Sequence, residues 1–140
     1  MSIDMLERLH VAGEALNRGD PEPLASLFAE DAEWRGVPRR VLLWKVAPRC
    51  HGPEEAREVL AHQVRKRGGR LVEAPPAFTW VGPGTVVGSL EWTNDDGTSA
   101  RRFHVLKVAG GRIVAMRCFA CRSDAERVAK GLLVPSPAQP

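Results

Sequence analysis

The chain has 140 residues, of which 44% are hydrophobic and 26% charged, and its formal net charge is +3 at pH 7. These proportions are ordinary for a globular domain and exclude a chain that is disordered throughout. No apolar run approaches the roughly 18 residues of a membrane-spanning helix, so we expect no membrane partner. The N-terminus also lacks the basic and apolar regions of a signal peptide. We therefore predict a cytoplasmic protein with one domain at residues 1–134 and a Pro-rich tail at 135–140.

The positive charge is carried mostly by arginine. The basic residues lie in scattered groups that do not alternate with stacking aromatic side chains. Such an arrangement permits anionic partners but lacks the pattern of a nucleic-acid surface. We therefore expect no nucleic-acid partner.

Cysteine usage argues against both disulfide and metal chemistry. Cys50, Cys118 and Cys121 are an odd number of thiols, which does not suit a disulfide framework. Cys118 and Cys121 have CxxC spacing, but three residues apart on a strand they would point to opposite faces. The three thiols and four histidines show no metal-ligand spacing. We expect no metal and no cofactor.

The first half of the chain predicts helices and short strands. Apolar residues three and four apart predict a first helix at Ile3–Asn17. Gly19, Asp20 and Pro21 then suit the end of that helix and the start of another at Pro21–Ala29, followed by a short strand at 32–35. A third helix is predicted at 53–67. Between them, residues 41–46 have the composition of a strand but are equally consistent with a pocket lid.

The second half predicts a meander of strands. Leu71–Val81 reads as one or two strands interrupted at Pro75 and Pro76, which cannot donate backbone hydrogen bonds. The turn residues at 94–97 and 110–111 then separate three longer strands. These strands are predicted at 85–93, 101–109 and 112–121, and a short helix at 123–131. Three helices before a mostly antiparallel sheet predict an α+β fold in which the helices share one face of a curved sheet.

Several segments resemble the nuclear transport factor 2-like superfamily, which includes SnoaL-like polyketide cyclases, ketosteroid isomerases and limonene epoxide hydrolases. They are, in order, 16–20 (LNRGD), 27–34 (LFAEDAEW), 52–56 (GPEEA) and 111–117 (GRIVAMR). The resemblance implies a cone-shaped, curved antiparallel sheet wrapped around three N-terminal helices, an α+β barrel. It also implies an apolar cavity inside the cone and a homodimer formed through the outer sheet face. On this resemblance, residues 1–134 form a SnoaL-like domain.

The most informative polar residues are Arg102 and His104. They alternate onto one face of the central strand, with Arg102 about 7 Å from His104 along the backbone. A nearby cation favours neutral imidazole, which can act as a general base or as a hydrogen-bond donor. The resemblance places His104 where ketosteroid isomerases keep a protonated aspartate in the oxyanion hole. His104 and Arg102 are therefore the candidate catalytic residues.

The chain departs from its relatives at the positions of their main catalytic groups. Ala12 occupies the position of the oxyanion-hole tyrosine of ketosteroid isomerases, and the chain contains no tyrosine. Their catalytic base falls at Gly36. Steroid isomerisation by that mechanism is therefore excluded.

The same alternation predicts the walls of the cavity. Large apolar side chains from neighbouring strands favour flat or polycyclic apolar ligands. His51 precedes the third helix, where related folds have the cavity mouth. The predicted ligand-binding residues are Trp34, Leu90, Trp92, Met116, Cys118 and His51.

Three functions remain open from the sequence. One is cofactor-free acid/base catalysis on a small hydrophobic, carbonyl-containing metabolite, of isomerase, cyclase or hydrolase type. The second is a binding module that holds such a molecule without turnover. The third is a protein adaptor that would use outer-face residues such as Phe103 and Phe119, which we otherwise expect a second copy of the chain to cover.

Overall fold

The computed structural model describes residues 3–36, 39–41, 44–46, 49–66, 75–93 and 96–133. The predicted tail at 135–140 lies outside these ranges. No helix in the described ranges is long and apolar enough to cross a membrane. The helices are α1 (Ile3–Asn17), α2 (Glu22–Ala25), α3 (Gly52–Lys66) and α4 (Arg122–Leu133). The strands are β1 (Phe28–Arg35), β2 (Arg39–Val41), β3 (Trp44–Val46), β4 (Arg49–His51), β5 (Ala77–Gly82), β6 (Thr85–Thr93), β7 (Ser99–Ala109) and β8 (Arg112–Phe119).

The protein has the α+β fold predicted from the sequence. Six strands form a curved, unclosed sheet in the order β4-β1-β8-β7-β6-β5, and β2 pairs with β3 in a separate two-stranded sheet. All pairs are antiparallel except β1 with β8. That parallel pair joins the N-terminal half of the chain to the C-terminal meander, so residues far apart in sequence meet on one sheet face.

Helix α1 has the predicted bounds and packs on the inner face of the sheet. Met5, Leu9 and Leu16 belong to its buried stripe and to the main hydrophobic core. Gly19 follows the helix with φ of 95°, a left-handed conformation that glycine adopts without steric cost. Burial of this stripe fixes the side of the sheet on which the helices lie.

The second predicted helix was too long. Helix α2 ends at Ala25, and the chain enters β1 at Phe28 rather than at Ala32. The backbone N–H of Ile113 donates to the carbonyl of Leu27 at 2.8 Å, and Phe28 is in register with Ile113. Pairing with β8 therefore overrides the helical pattern of this segment.

Residues 41–46, which the sequence left open between a strand and a pocket lid, do not form one continuous strand. Residues 39–41 and 44–46 form the antiparallel pair β2 and β3, and β4 then pairs with β1. Cross-strand pairing within this short segment explains why apolar composition alone did not reveal two strands. Of the one or two strands predicted at 71–81, residues 71–74 lie outside the described ranges, and β5 begins at Ala77, directly after Pro75 and Pro76.

The core contains a large aromatic side chain between two glycines. A Cβ placed on Gly88 would lie 2.7 Å from the Phe78 ring, and one on Gly13 would lie 3.1 Å from the same ring. His10 packs edge-on against this ring, with 5.4 Å between centroids. The Phe78 ring thus packs between α1 and β6 in space that a side chain at Gly13 or Gly88 would occupy.

The outer face of the sheet carries a second, smaller core. Phe103 and Val105 are buried there with Ala125 and Ala129 of α4. The Arg122 guanidinium lies 5.2 Å from the centroid of the Phe103 ring. The expectation that a second copy covers Phe103 was therefore wrong, because α4 of the same chain covers it. Homodimer formation itself remains a prediction.

Candidate functional site

The candidate site lies on the inner face of β7 and β8. His104 is directly opposite Cys118, and Leu106 is opposite Met116. Leu106, Met116 and Cys118 belong to the core that packs against the helices. Strand alternation thus places His104 on the concave side of the sheet, as predicted.

Three side chains from three strands form a continuous set of polar contacts. The indole Nε1–H of Trp34 on β1 donates to Sγ of Cys118 on β8 at 2.9 Å. The same sulfur lies 3.1 Å from Nδ1 of His104 on β7. We call this set the Trp34–Cys118–His104 chain. The parallel pairing of β1 with β8 makes these contacts possible. It places Trp34 in register with Met116, which is two residues from Cys118 along β8.

The Trp34–Cys118–His104 chain ends at the second imidazole nitrogen of His104, Nε2. His104 is only 8% exposed. Its Nε2 atom is buried and has no hydrogen-bond partner among the described residues. A buried polar atom without a partner costs about 1–3 kcal/mol, so native proteins usually satisfy such atoms with protein, water or ligand. Nε2 is the place where the site can engage a polar atom of another molecule.

Burial keeps His104 neutral. Burial and, to a smaller extent, the positive charge of Arg102 together lower the pKa of His104 to about 4. The sequence predicted the direction from Arg102, but desolvation is the larger cause. At neutral pH the imidazole therefore has one N–H donor and one acceptor nitrogen.

The neighbouring thiols are also neutral. Burial raises the pKa of Cys118 to about 12, against the opposing effects of the Trp34 hydrogen bond and Arg102. Burial, followed by the charge of Glu55, raises the pKa of Cys50 to about 11. Thiolate is the nucleophilic form of cysteine, so neither thiol is suited to covalent catalysis.

The rest of the immediate surroundings is mostly apolar. On the β6 side His104 is paired in register with Gly88, over which the Phe78 ring packs. Leu90 is in register with Arg102 and packs against the core. Arg102 is partly exposed and donates to the carbonyl of Arg101 at 2.9 Å. One polar atom at Nε2 is thus set among hydrophobic groups, with a cation nearby.

Of the other predicted ligand-binding residues, Trp92 cannot be placed from the described side chains, and His51 lies apart from this group. The backbone of Trp92 lies in β6 opposite Ala100, and its side chain is outside the described part of the structure. His51 is exposed on β4, and its Nε2 lies 3.6 Å from a carboxylate oxygen of Glu33. Since its neighbour Cys50 faces the core, His51 projects from the opposite face of the strand.

The sequence did not reveal the hydrogen-bonding role of Cys118. Counting back from the Gly110-Gly111 turn pairs His104 with Arg117, because Ala109 pairs with Arg112. An irregularity between Lys107 and Val108 shifts the register by one residue, so that His104 meets Cys118 instead. The extra residue lies on β8 between Ile113 and Ala115, and no glycine or proline there signals a bulge.

Comparison with known proteins agrees with this fold. The model of the SnoaL-like domain family matches residues 9–116. A nuclear transport factor 2-like protein of unknown function from Mesorhizobium loti is 18% identical, with a TM-score of 0.61 over 84% of this chain and 91% of that one. A cystatin-like-fold protein of unknown function from Xanthomonas campestris is 19% identical, with a TM-score of 0.62 over 89% and 93%.

A third solved structure contains a small molecule. It is a protein from Catenulispora acidiphila with a ketosteroid isomerase-like fold, in complex with trimethylamine. It is 12% identical to this chain, with a TM-score of 0.59 and full coverage of both chains. At these identities the structural matches establish the fold alone. A search of curated proteins finds no significant match.

Proposed function

Because the chain belongs to the SnoaL-like domain family of the nuclear transport factor 2-like superfamily, we propose that it binds a small, largely apolar molecule on the inner sheet face. His104 Nε2 forms the polar contact with that molecule. The observation that carries this proposal is the buried Nε2 atom that has no partner among the described residues. In this fold the concave side of the sheet is where a ligand can be enclosed by apolar side chains.

The proposed walls come from the strands on either side of His104. Trp34, Met116 and Cys118 belong to the core, and Leu90 packs against it. Trp92 is two residues from Leu90 on the same strand and completes the proposed set. His51 is left out of this set, because its side chain is exposed on the face of β4 opposite to Cys50.

We propose that His104 acts as a hydrogen-bond donor rather than as a general base. A general base is most effective when its pKa is near the working pH, and a group with a pKa of about 4 accepts a proton weakly at neutral pH. A donor suits a ligand with a carbonyl oxygen. Arg102 disfavours a cationic ligand, so we expect this chain to prefer a neutral carbonyl compound to a protonated amine such as trimethylammonium.

A second candidate function is catalysis by polarisation of that carbonyl. The observation in its favour is the positive charge of Arg102, which acts electrostatically on the same buried imidazole. A donor at Nε2 together with this charge would stabilise negative charge that develops on the carbonyl oxygen. We do not propose an adaptor role for Phe103, since α4 buries it.

The binding proposal is tested by fluorescence titration with prodan, a flat naphthyl ketone whose emission reports its surroundings. We expect saturable, blue-shifted binding to the native protein. His104→Leu keeps an apolar side chain but removes Nε2, so it should weaken prodan binding about tenfold, as expected for one lost buried hydrogen bond. His62→Gln is the matched control, because His62 is exposed on α3.

Naphthalene separates the hydrogen bond from general apolar affinity. It lacks the carbonyl, so His104→Leu should leave naphthalene binding unchanged or slightly stronger. Equal weakening of prodan and naphthalene, or no saturable binding of either probe, would overturn the proposed function. Titration with trimethylammonium chloride should show the weaker binding expected beside Arg102.

A further inference from the structure

The contacts of the Cys118 sulfur determine which nitrogen of His104 carries the proton. Sγ has two polar partners in the described structure, Nε1 of Trp34 and Nδ1 of His104. An indole N–H can only donate, so the sulfur accepts the hydrogen bond from Trp34. The protonated thiol still has one S–H of its own, and Nδ1 of His104 is the acceptor that it can reach.

Two arrangements of the protons are possible at the 3.1 Å contact. If His104 donated from Nδ1, the sulfur would accept two hydrogen bonds and its own S–H would have no acceptor among the described residues. If Cys118 donates to Nδ1, both the indole N–H and the thiol S–H are paired. Without a ligand, either arrangement leaves one buried donor unpaired among the described residues, the thiol S–H in the first and the Nε2–H in the second. The second is favoured because the sulfur is a weak acceptor that already accepts from Trp34, and because only a proton on Nε2 lets an acceptor on a ligand complete the pairing. This second arrangement leaves the remaining imidazole proton on Nε2.

We propose that Cys118 is a positioning residue that holds His104 as the Nε2–H tautomer, so that the site selects ligands presenting a hydrogen-bond acceptor. The proposal rests on the proposed function and adds the source of its selectivity. Trp34 orients the sulfur, the sulfur orients the imidazole, and the imidazole presents N–H to the ligand. A ligand that offers only a donor at this point would leave two protons facing each other.

Long-range proton–nitrogen correlation NMR of the histidine rings tests this directly, because the two tautomers give different cross-peak patterns. We expect His104 of the native protein at neutral pH to show the Nε2–H pattern. This readout needs no ligand, so it can succeed where prodan binding fails and fail where prodan binding succeeds. An Nδ1–H pattern for His104 in the native protein would overturn the proposal.

Variants of Cys118 separate hydrogen bonding from packing. Cys118→Val keeps the approximate volume and removes the S–H, so it should give a mixture of tautomers and weaken prodan binding roughly threefold, in proportion to the lost Nε2–H population. Cys118→Ser restores a group that both donates and accepts, and should restore the single Nε2–H pattern.

Cys50→Val is the matched control, since Cys50 is a second buried thiol in the same core and has no hydrogen bond to His104. It should leave the tautomer unchanged. If Cys118→Val retains a pure Nε2–H pattern, or if Cys50→Val disturbs that pattern as strongly, Cys118 does not act as proposed. Should Cys118→Val fail to fold, the native spectrum and the Cys118→Ser spectrum still decide the question.

Discussion

The two faces of the curved sheet are built by the same strands but differ in the environment of their polar side chains. On the outer face Arg101 pairs with Glu91 at 2.8 Å, and Arg35 pairs with Glu33 at 2.6 Å. These side chains are about half exposed and also contact solvent. On the inner face the polar His104 is buried, and its Nε2 has no partner among the described residues. The contrast indicates that polarity needs a functional explanation on the inner face and none on the outer face.

The outer face is itself divided, which sharpens the prediction of a dimer. Helix α4 covers Phe103 and Val105. Beyond it, Arg35 is in register with Arg49 on one side and Arg117 on the other. A second copy docked on this row would bring like charges together, at a cost unless anions intervene. A homodimer through this part of the face is therefore disfavoured relative to one through another surface.

The largest difference between the faces should appear at two adjacent residues. Leu106 is 1% exposed on the inner face, whereas Lys107 is exposed on the outer face. Leu106→Ala should lower the free energy of unfolding by about 4 kcal/mol, through lost burial and the cavity left behind. Lys107→Ala should change it by less than about 0.5 kcal/mol. Urea denaturation followed by circular dichroism measures both, and similar losses at the two positions would contradict the face assignment.

Most of the framework follows from local patterns. The bounds of α1 and the placement of β6, β7 and β8 were predictable because helical periodicity and glycine turns are short-range signals. Alternation along β7 also placed His104 and Leu106 on one face. These predictions needed no knowledge of which strands lie side by side.

The contacts of the Trp34–Cys118–His104 chain could not be predicted, because they depend on the pairing and register of strands, which the local sequence does not reveal. Trp34 reaches Cys118 because β1 runs parallel to β8, and His104 reaches Cys118 because of a one-residue register shift in β7 and β8. The cover over Phe103 was missed for a similar reason, since the path of α4 depends on tertiary packing. The sheet face on which a residue lies was thus predictable, whereas the residues that it contacts across the sheet were not.

A smaller effect should appear in the pH dependence of stability. The pKa of His104 is lowered from 6.5 to about 4 in the folded protein, mainly by burial. Between these values the unfolded chain takes up a proton that the folded protein does not, so stability falls as the pH falls. Above about pH 6.5 the free energy of unfolding keeps its full value with respect to this group. By about pH 4 it is lower by roughly 3 kcal/mol.

Denaturation at a series of pH values isolates this contribution. The free energy of unfolding of the native protein minus that of His104→Leu should decrease as the pH falls. The same difference between the native protein and His62→Gln should stay constant, because His62 is exposed. The comparison uses the change with pH and is independent of the packing effect of leucine. Arg102 and Cys118, the groups that face the imidazole, are present in both proteins. A flat difference for His104→Leu would mean that His104 is not desolvated on the inner face.

The smallest expected effect on stability is at the third cysteine. Cys121 is exposed, whereas Cys50 and Cys118 are buried in the core. Cys121→Ser should change the free energy of unfolding by less than about 0.5 kcal/mol. In the native protein an aromatic disulfide reagent should label Cys121 rapidly. Cys50 and Cys118 should react only as fast as the protein opens, because each is buried with a raised pKa. Rapid labelling of a thiol in the Cys121→Ser variant would show that the inner face is open to solvent, and the distinction between the two faces would fail.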